Sequence, residues 1–104
     1  MATLSDIQRA FRENAFRFTI HGLQEATADD LTVEEVRNAI INPGAEVLED
    51  YPNHPRGGCC QILGWLTSDQ PIHAVVSYPI DVAVITVYRP DEAQWIDSRT
   101  RRNT

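Results

Sequence analysis

The connectors in the second half of this chain are too short for anything but antiparallel pairing of the strands they join. After Gly44 the apolar residues gather into runs at 47–48, 61–66, 72–78 and 82–88, each of strand length and rich in β-branched or aromatic side chains. Between them stand Tyr51-Pro52-Asn53-His54-Pro55-Arg56-Gly57-Gly58, Thr67-Ser68-Asp69-Gln70-Pro71 and Pro79-Ile80-Asp81, all dense in turn formers. A parallel pair needs a crossover of about a dozen residues or more. The pattern therefore predicts a twisted four-stranded antiparallel meander.

Before Gly44 the period is helical. Leu4, Ile7, Ala10 and Phe11 recur at helical spacing behind Thr3 and Ser5, either of which suits a cap, and this first helix is expected to end near Asn14. The segment 17–20 reads as short and extended, and a second, weakly patterned helix runs from His21 to about Asp30. Thr32 and Glu35 form a capping box, Val33, Val36, Ala39 and Ile40 make one apolar stripe, and Asn42-Pro43-Gly44 stops the third helix. Helices first and strands afterwards predict an α+β fold, with the N-terminal helices packed on one face of the sheet. Asp91 to Ile96 reads as a final helical turn, and about 97–104 as an Arg-rich tail.

A length of 104 residues suits one domain with its own core, and nothing in the chain divides it. Apolar residues make up 42% and charged residues 23%, the usage of an ordinary folded domain. No apolar run reaches the ~20 residues that span a bilayer, and the N-terminus lacks a secretory pattern; a cytoplasmic location is expected. Cys59 and Cys60 are adjacent, which suits neither a loop-closing disulfide nor a spaced zinc site. They are expected to be reduced thiols in a strand. No metal site and no cofactor motif is predicted.

The net charge of −6 opposes non-specific nucleic-acid binding. Acid concentrates in the first half, from Glu25 to Asp50, while Arg89, Arg99, Arg101 and Arg102 load the C-terminal end. All nine basic residues are arginine, the side chain that binds phosphate through two parallel N–H donors. Within the strands, His73 is set among apolar neighbours and Tyr88-Arg89 closes the last run. A histidine, a phenol and a guanidinium together supply a proton carrier, a second polar handle and a cation.

Several ordered segments carry a family resemblance: His21 at a helix start, Leu31 to Val36, Glu49-Asp50-Tyr51-Pro52, Pro71 to Val76, Ile85 to Tyr88, then Pro90-Asp91 and Trp95. From about Arg17 onward the chain resembles the family known as domain of unknown function 4258. That resemblance implies a fold similar to the RelE and MqsR type of bacterial ribonuclease toxin, a substrate of RNA or ribosome-bound mRNA, and a small zinc-finger antitoxin as partner. Many members of the family carry arginines where this chain has Glu25 and Asp29, so two cations are replaced by two anions next to a site that would approach phosphate.

Metal-free cleavage through the ribose 2′-hydroxyl needs a base, an acid and a cation for the phosphorane-like transition state. His21 and His73 are expected in the acid and base roles, Tyr88 as a supporting proton or hydrogen bond, and Arg89, Arg99 or Arg101 on the phosphate. Plainer readings stand beside these. His73 suits an inward residue satisfied by a backbone carbonyl, His21 a helix start paired with Glu25, Tyr88 a packing residue, and the C-terminal arginines a solvated tail. The competing class is a non-catalytic interaction module that binds another protein through its sheet edge or acidic helix face.

Overall fold

A computed structural model of the chain describes residues 4–55 and 57–91. Its described elements are α1 (Leu4–Arg12), β1 (Arg17–Phe18), α2 (Ile20–Ala28), α3 (Val33–Ile41), β2 (Glu46–Tyr51), β3 (Cys59–Thr67), β4 (Gln70–Ser77) and β5 (Ala83–Tyr88). The final helical turn and the tail expected from the sequence fall beyond Asp91, outside the described residues.

Local chemistry fixes the helix ends. α1 and α2 each close on a residue of positive φ, Asn14 at 58° and Asp30 at 55°, side chains that tolerate the left-handed region. In both, the next amide reaches back into the last turn: Ala15 N–H donates to the Ala10 carbonyl and Leu31 N–H to the Ala26 carbonyl, each at 2.8 Å. α3 opens on the expected box, with Glu35 N–H donating to Thr32 Oγ1 and Thr32 N–H to Glu35 Oε1, both at 3.0 Å. α2 starts one residue earlier than expected. Thr19 caps it, accepting from Gly22 N–H at 2.9 Å, so Ile20 is helical and not extended.

The sheet corrects the expected strand count. Strands β2 to β5 form the antiparallel meander, but there are five strands in the order β1-β5-β4-β3-β2. The additional edge strand β1 runs parallel to β5, with Arg17 opposite Ala83 and Phe18 opposite Val84. Two residues carry no readable periodicity, and their partner lies far along the chain, so no local signal announces the pairing. Arg17 also binds Asp81 with both arms, Nε to Oδ1 at 2.9 Å and Nη2 to Oδ2 at 2.8 Å, which ties β1 to the turn that precedes β5. β2 is longer than the apolar pair at 47–48 because Glu46, Glu49 and Asp50 belong to it. These charges suit an outer strand, where they discourage further edge pairing.

The core lies on the helix side of the sheet. Ile72, Ala74 and Val76 of β4 join Ile62, Val84 and Val87 from neighbouring strands and Phe11, Val36 and Ile40 from α1 and α3, all of them fully buried. α3 packs closely enough over β3 that a Cβ on Gly64 would sit 2.7 Å from the Ala39 carbonyl oxygen. Because side chains alternate along a strand, His73, Val75 and Ser77 point to the opposite face. No described helix is long and apolar enough to cross a membrane.

Candidate active site

Strand register assembles a polar group on the face away from that core. His73 pairs with Leu63 on one side and Tyr88 on the other, while Gln61 stands opposite Val75. The His73 and Tyr88 rings meet edge to face, with centroids 5.4 Å apart, and His73 Nδ1 lies 3.3 Å from Tyr88 Oη. Gln61 completes the group, donating from Nε2 to Tyr88 Oη at 2.9 Å. His73 is wholly buried and Gln61 nearly so. An imidazole joined to a phenol in this way can pass a proton or hold one in place.

The other predicted residues are not brought to this pair. His21 lies on α2, its side chain 64% exposed and its Nε2 3.2 Å from Glu25 Oε1, which is the helix-turn pairing anticipated for it. Gly22 lies against the Val84 carbonyl, four residues along β5 from the Tyr88 that faces His73. Strand β5 also stands between α2 and β4. His21 is exposed and turned to Glu25, whereas His73 is wholly buried against Tyr88; the fold does not join the two imidazoles in one hydrogen-bonded group.

Arg89 is held at the C-terminal end of α2. Its backbone N–H donates to Asp29 Oδ2 at 2.7 Å and its Nε to the Asp29 carbonyl at 3.1 Å. Its charge also reaches Glu35 at the start of α3. Asp29 thus has a positive structural task, securing the chain as it leaves β5, and the guanidinium is committed to that junction. Arg99 and Arg101 lie outside the described residues.

Gln61 escaped the sequence reading. It alternates with the core residues Cys60 and Ile62 and so faces away from the helices, and only the cross-strand register reveals that it meets Tyr88. A polar residue inside the otherwise apolar start of β3 was the available signal. The two thiols before it are free and buried. Burial, aided by Asp50 and Cys59, pushes the Cys60 thiol up to about 12; burial chiefly, with Asp50 adding to it, also raises Cys59. Neither is an activated nucleophile.

On the same face, a groove of about 880 Å³ opens beside the pair. Val75, two residues from His73, forms part of its floor with Ala83 and Ile85, and the Arg17–Asp81 ion pair stands at its rim. Among the described residues, no three or more His, Cys, Asp or Glu side chains gather to hold a metal ion.

A family model described as Domain of unknown function (DUF4258) matches residues 18–89, which contains the Gln61–Tyr88–His73 group, α2 and Arg89. The chain belongs to this family. The DUF4258 match begins within β1 and ends just after β5, so it takes in the whole meander together with α2 and α3. Arg99 and Arg101 lie beyond it. No curated protein and no solved structure matches the chain.

Proposed function

We propose that this DUF4258 chain is a metal-independent endoribonuclease of the RelE-like toxin class, with His73 and Tyr88 as its proton-transferring pair. The observation that carries the reading is the imidazole–phenol contact of 3.3 Å on the sheet face away from the helices. In this reading the ribose 2′-hydroxyl attacks the adjacent phosphorus and the bond to the 5′-oxygen breaks. One member of the pair takes the 2′ proton and the other returns a proton to the leaving oxygen, giving a 2′,3′-cyclic phosphate and a 5′-hydroxyl. The neighbouring groove offers an apolar floor for a base. With Arg89 engaged at Asp29, the phosphate contact falls to Arg99 and Arg101. RNA or ribosome-bound mRNA is the substrate, and a small zinc-finger antitoxin is the partner.

The deciding experiment is cleavage of RNA, free and ribosome-bound, by the purified protein in excess chelator. His73→Ala serves as control once circular dichroism and a thermal melt show it folded. Cleavage by the wild type that leaves cyclic phosphate ends and drops by about 10²- to 10⁴-fold in the variant is the expected result. Full activity in His73→Ala defeats the assignment.

A second reading rests on a different observation. Ile20 is 80% and Leu23 47% exposed on α2, beside the carboxylates of Glu25 and Asp30, which fits an interaction module that binds a basic partner protein. A folded wild type that cleaves none of these RNAs shifts the weight to it.

A further inference from the structure

Helix α2 carries its residues the wrong way round for a surface helix. The side set against the sheet is made of small residues, Gly22 and Ala26, both buried. Gly22 lies so close to the Val84 carbonyl that a Cβ there would clash, so the helix rides low over β5. The larger apolar residues look outward: Ile20 is 80% and Leu23 47% exposed. Ordinary amphipathic helices do the reverse, and a contiguous apolar stripe on the outside marks a contact surface.

The stripe is ordered along the helix. Positions 20, 23, 24, 27 and 28 share one face at the helical period, and all five are exposed. Thr27 Oγ1 donates to the Leu23 carbonyl at 2.9 Å, so its hydroxyl is spent inside the helix and its methyl is left for contact. One end of the stripe is a projecting side chain, Ile20. The other is a shallow hollow of about 440 Å³ lined by Leu23, Gln24, Thr27 and Ala28. At ~1.5 Å of rise per residue, Ile20 and Thr27 stand about 10 Å apart along the axis.

A face that carries both a knob and a hollow matches a second copy of itself turned end for end. About a two-fold axis between Leu23 and Gln24, Ile20 of each copy enters the hollow of the other, and Leu23 packs beside the other copy's Gln24. The same operation matches charge. His21 and Glu25 occupy one flank of the stripe, where they pair within the chain at 3.2 Å. Antiparallel packing sets each His21 against Glu25 of the other copy.

We propose that α2 is the interface of a two-fold symmetric homodimer, packed antiparallel through Ile20, Leu23 and Thr27. The interaction reading above starts from the same stripe and gives it a basic partner protein; the knob, the hollow and the order of His21 and Glu25 favour a second copy. The ribonuclease reading plays no part in it. One nine-residue helix makes a small interface, below about 1,200 Å² in total, which is the range of transient complexes. The dimer is therefore weak, with half of the chains paired near ~0.1 mM.

Sedimentation equilibrium of the full chain tests this, from about 10 μM to about 1 mM and at ~0.15 M salt, where the net charge of −6 is screened beyond ~8 Å. The average mass is expected to climb from one chain toward two. Ile20→Glu and Leu23→Glu change exposed positions, and each is first shown to be folded by circular dichroism. Both are expected to weaken pairing by at least tenfold. Glu25→Lys sets a cation against His21 of the other copy and is expected to weaken pairing about threefold. Adding His21→Glu exchanges the two charges and restores it, a recovery that indiscriminate adhesion does not give. A wild type that stays monomeric to about 1 mM overturns the proposal and returns the stripe to the basic partner. Pairing that survives both Ile20→Glu and Leu23→Glu, or that Glu25→Lys leaves unchanged, overturns it as well. No RNA enters the measurement, so a monomeric wild type leaves the ribonuclease reading where it stood, and a protein that cleaves no RNA leaves the dimer standing.

Discussion

At the residue scale, environment decides what each reactive side chain can do. Cys60 illustrates it: the sequence reads the adjacent cysteines as reduced thiols in a strand, and burial lifts the Cys60 thiol to about 12 from a starting value of 9.0. The thiolate at pH 8 is then scarcer by about a thousandfold than in an unshifted thiol. Iodoacetamide at that pH is expected to leave Cys60 unmodified in the native protein and to alkylate it promptly in denaturant, as read by mass spectrometry; comparable rates in the two states would contradict the burial. Glu25 and Asp29 also acquire meaning only in place. Glu25 answers His21 and Asp29 secures Arg89. The place of His73 inside an apolar strand was legible, because a histidine in such a run stands out. Its partner Gln61 was not, since a glutamine in β3 says nothing of the phenol two strands away.

At the scale of elements, what was legible is what local chemistry fixes. The capping box of α3, the stop at Asn42-Pro43-Gly44 and the short strand connectors are each set by side chains within a few residues, and the structure follows them. The edge strand β1 and the full length of β2 are set by hydrogen bonds to distant chain, and the first is too short and the second too charged to show a period. The contact of α3 with β3 belongs to this scale as well. A Cβ at Gly64 meets the Ala39 backbone carbonyl, which cannot rotate aside as a side chain tip could. Gly64→Ala is expected to cost about 1–3 kcal/mol through forced separation of helix and sheet, measured as a lower urea midpoint with an unchanged slope. A midpoint equal to the wild type would show that α3 rides higher over the sheet than described.

At the scale of the whole molecule, the acid limb of stability follows from two exposed carboxylates. Hydrogen bonds from Thr32 lower Glu35, and the Arg17 fork lowers Asp81. Each group has a smaller proton affinity folded than unfolded, so its contribution is complete above the ordinary carboxylate range near ~4 and disappears as pH falls through the lowered folded value. Melts between pH 7 and pH 2.5 are expected to show a decline beginning near ~4, and Asp81→Asn should flatten part of it; an unaltered decline would remove the Arg17–Asp81 clamp from the account. Sequence alone determined the class of this molecule, helices followed by an antiparallel meander, because periodicity, caps and connector length act over a few residues. It also determined the DUF4258 membership, through the order of its segments. Tertiary structure decided the rest: the parallel edge strand, the separation of His21 from His73, the capture of Arg89 by Asp29 and the union of Gln61, Tyr88 and His73. Those depend on which strands become neighbours and in what register, and that is settled by burying one shared core and not by any residue's own neighbours in the chain.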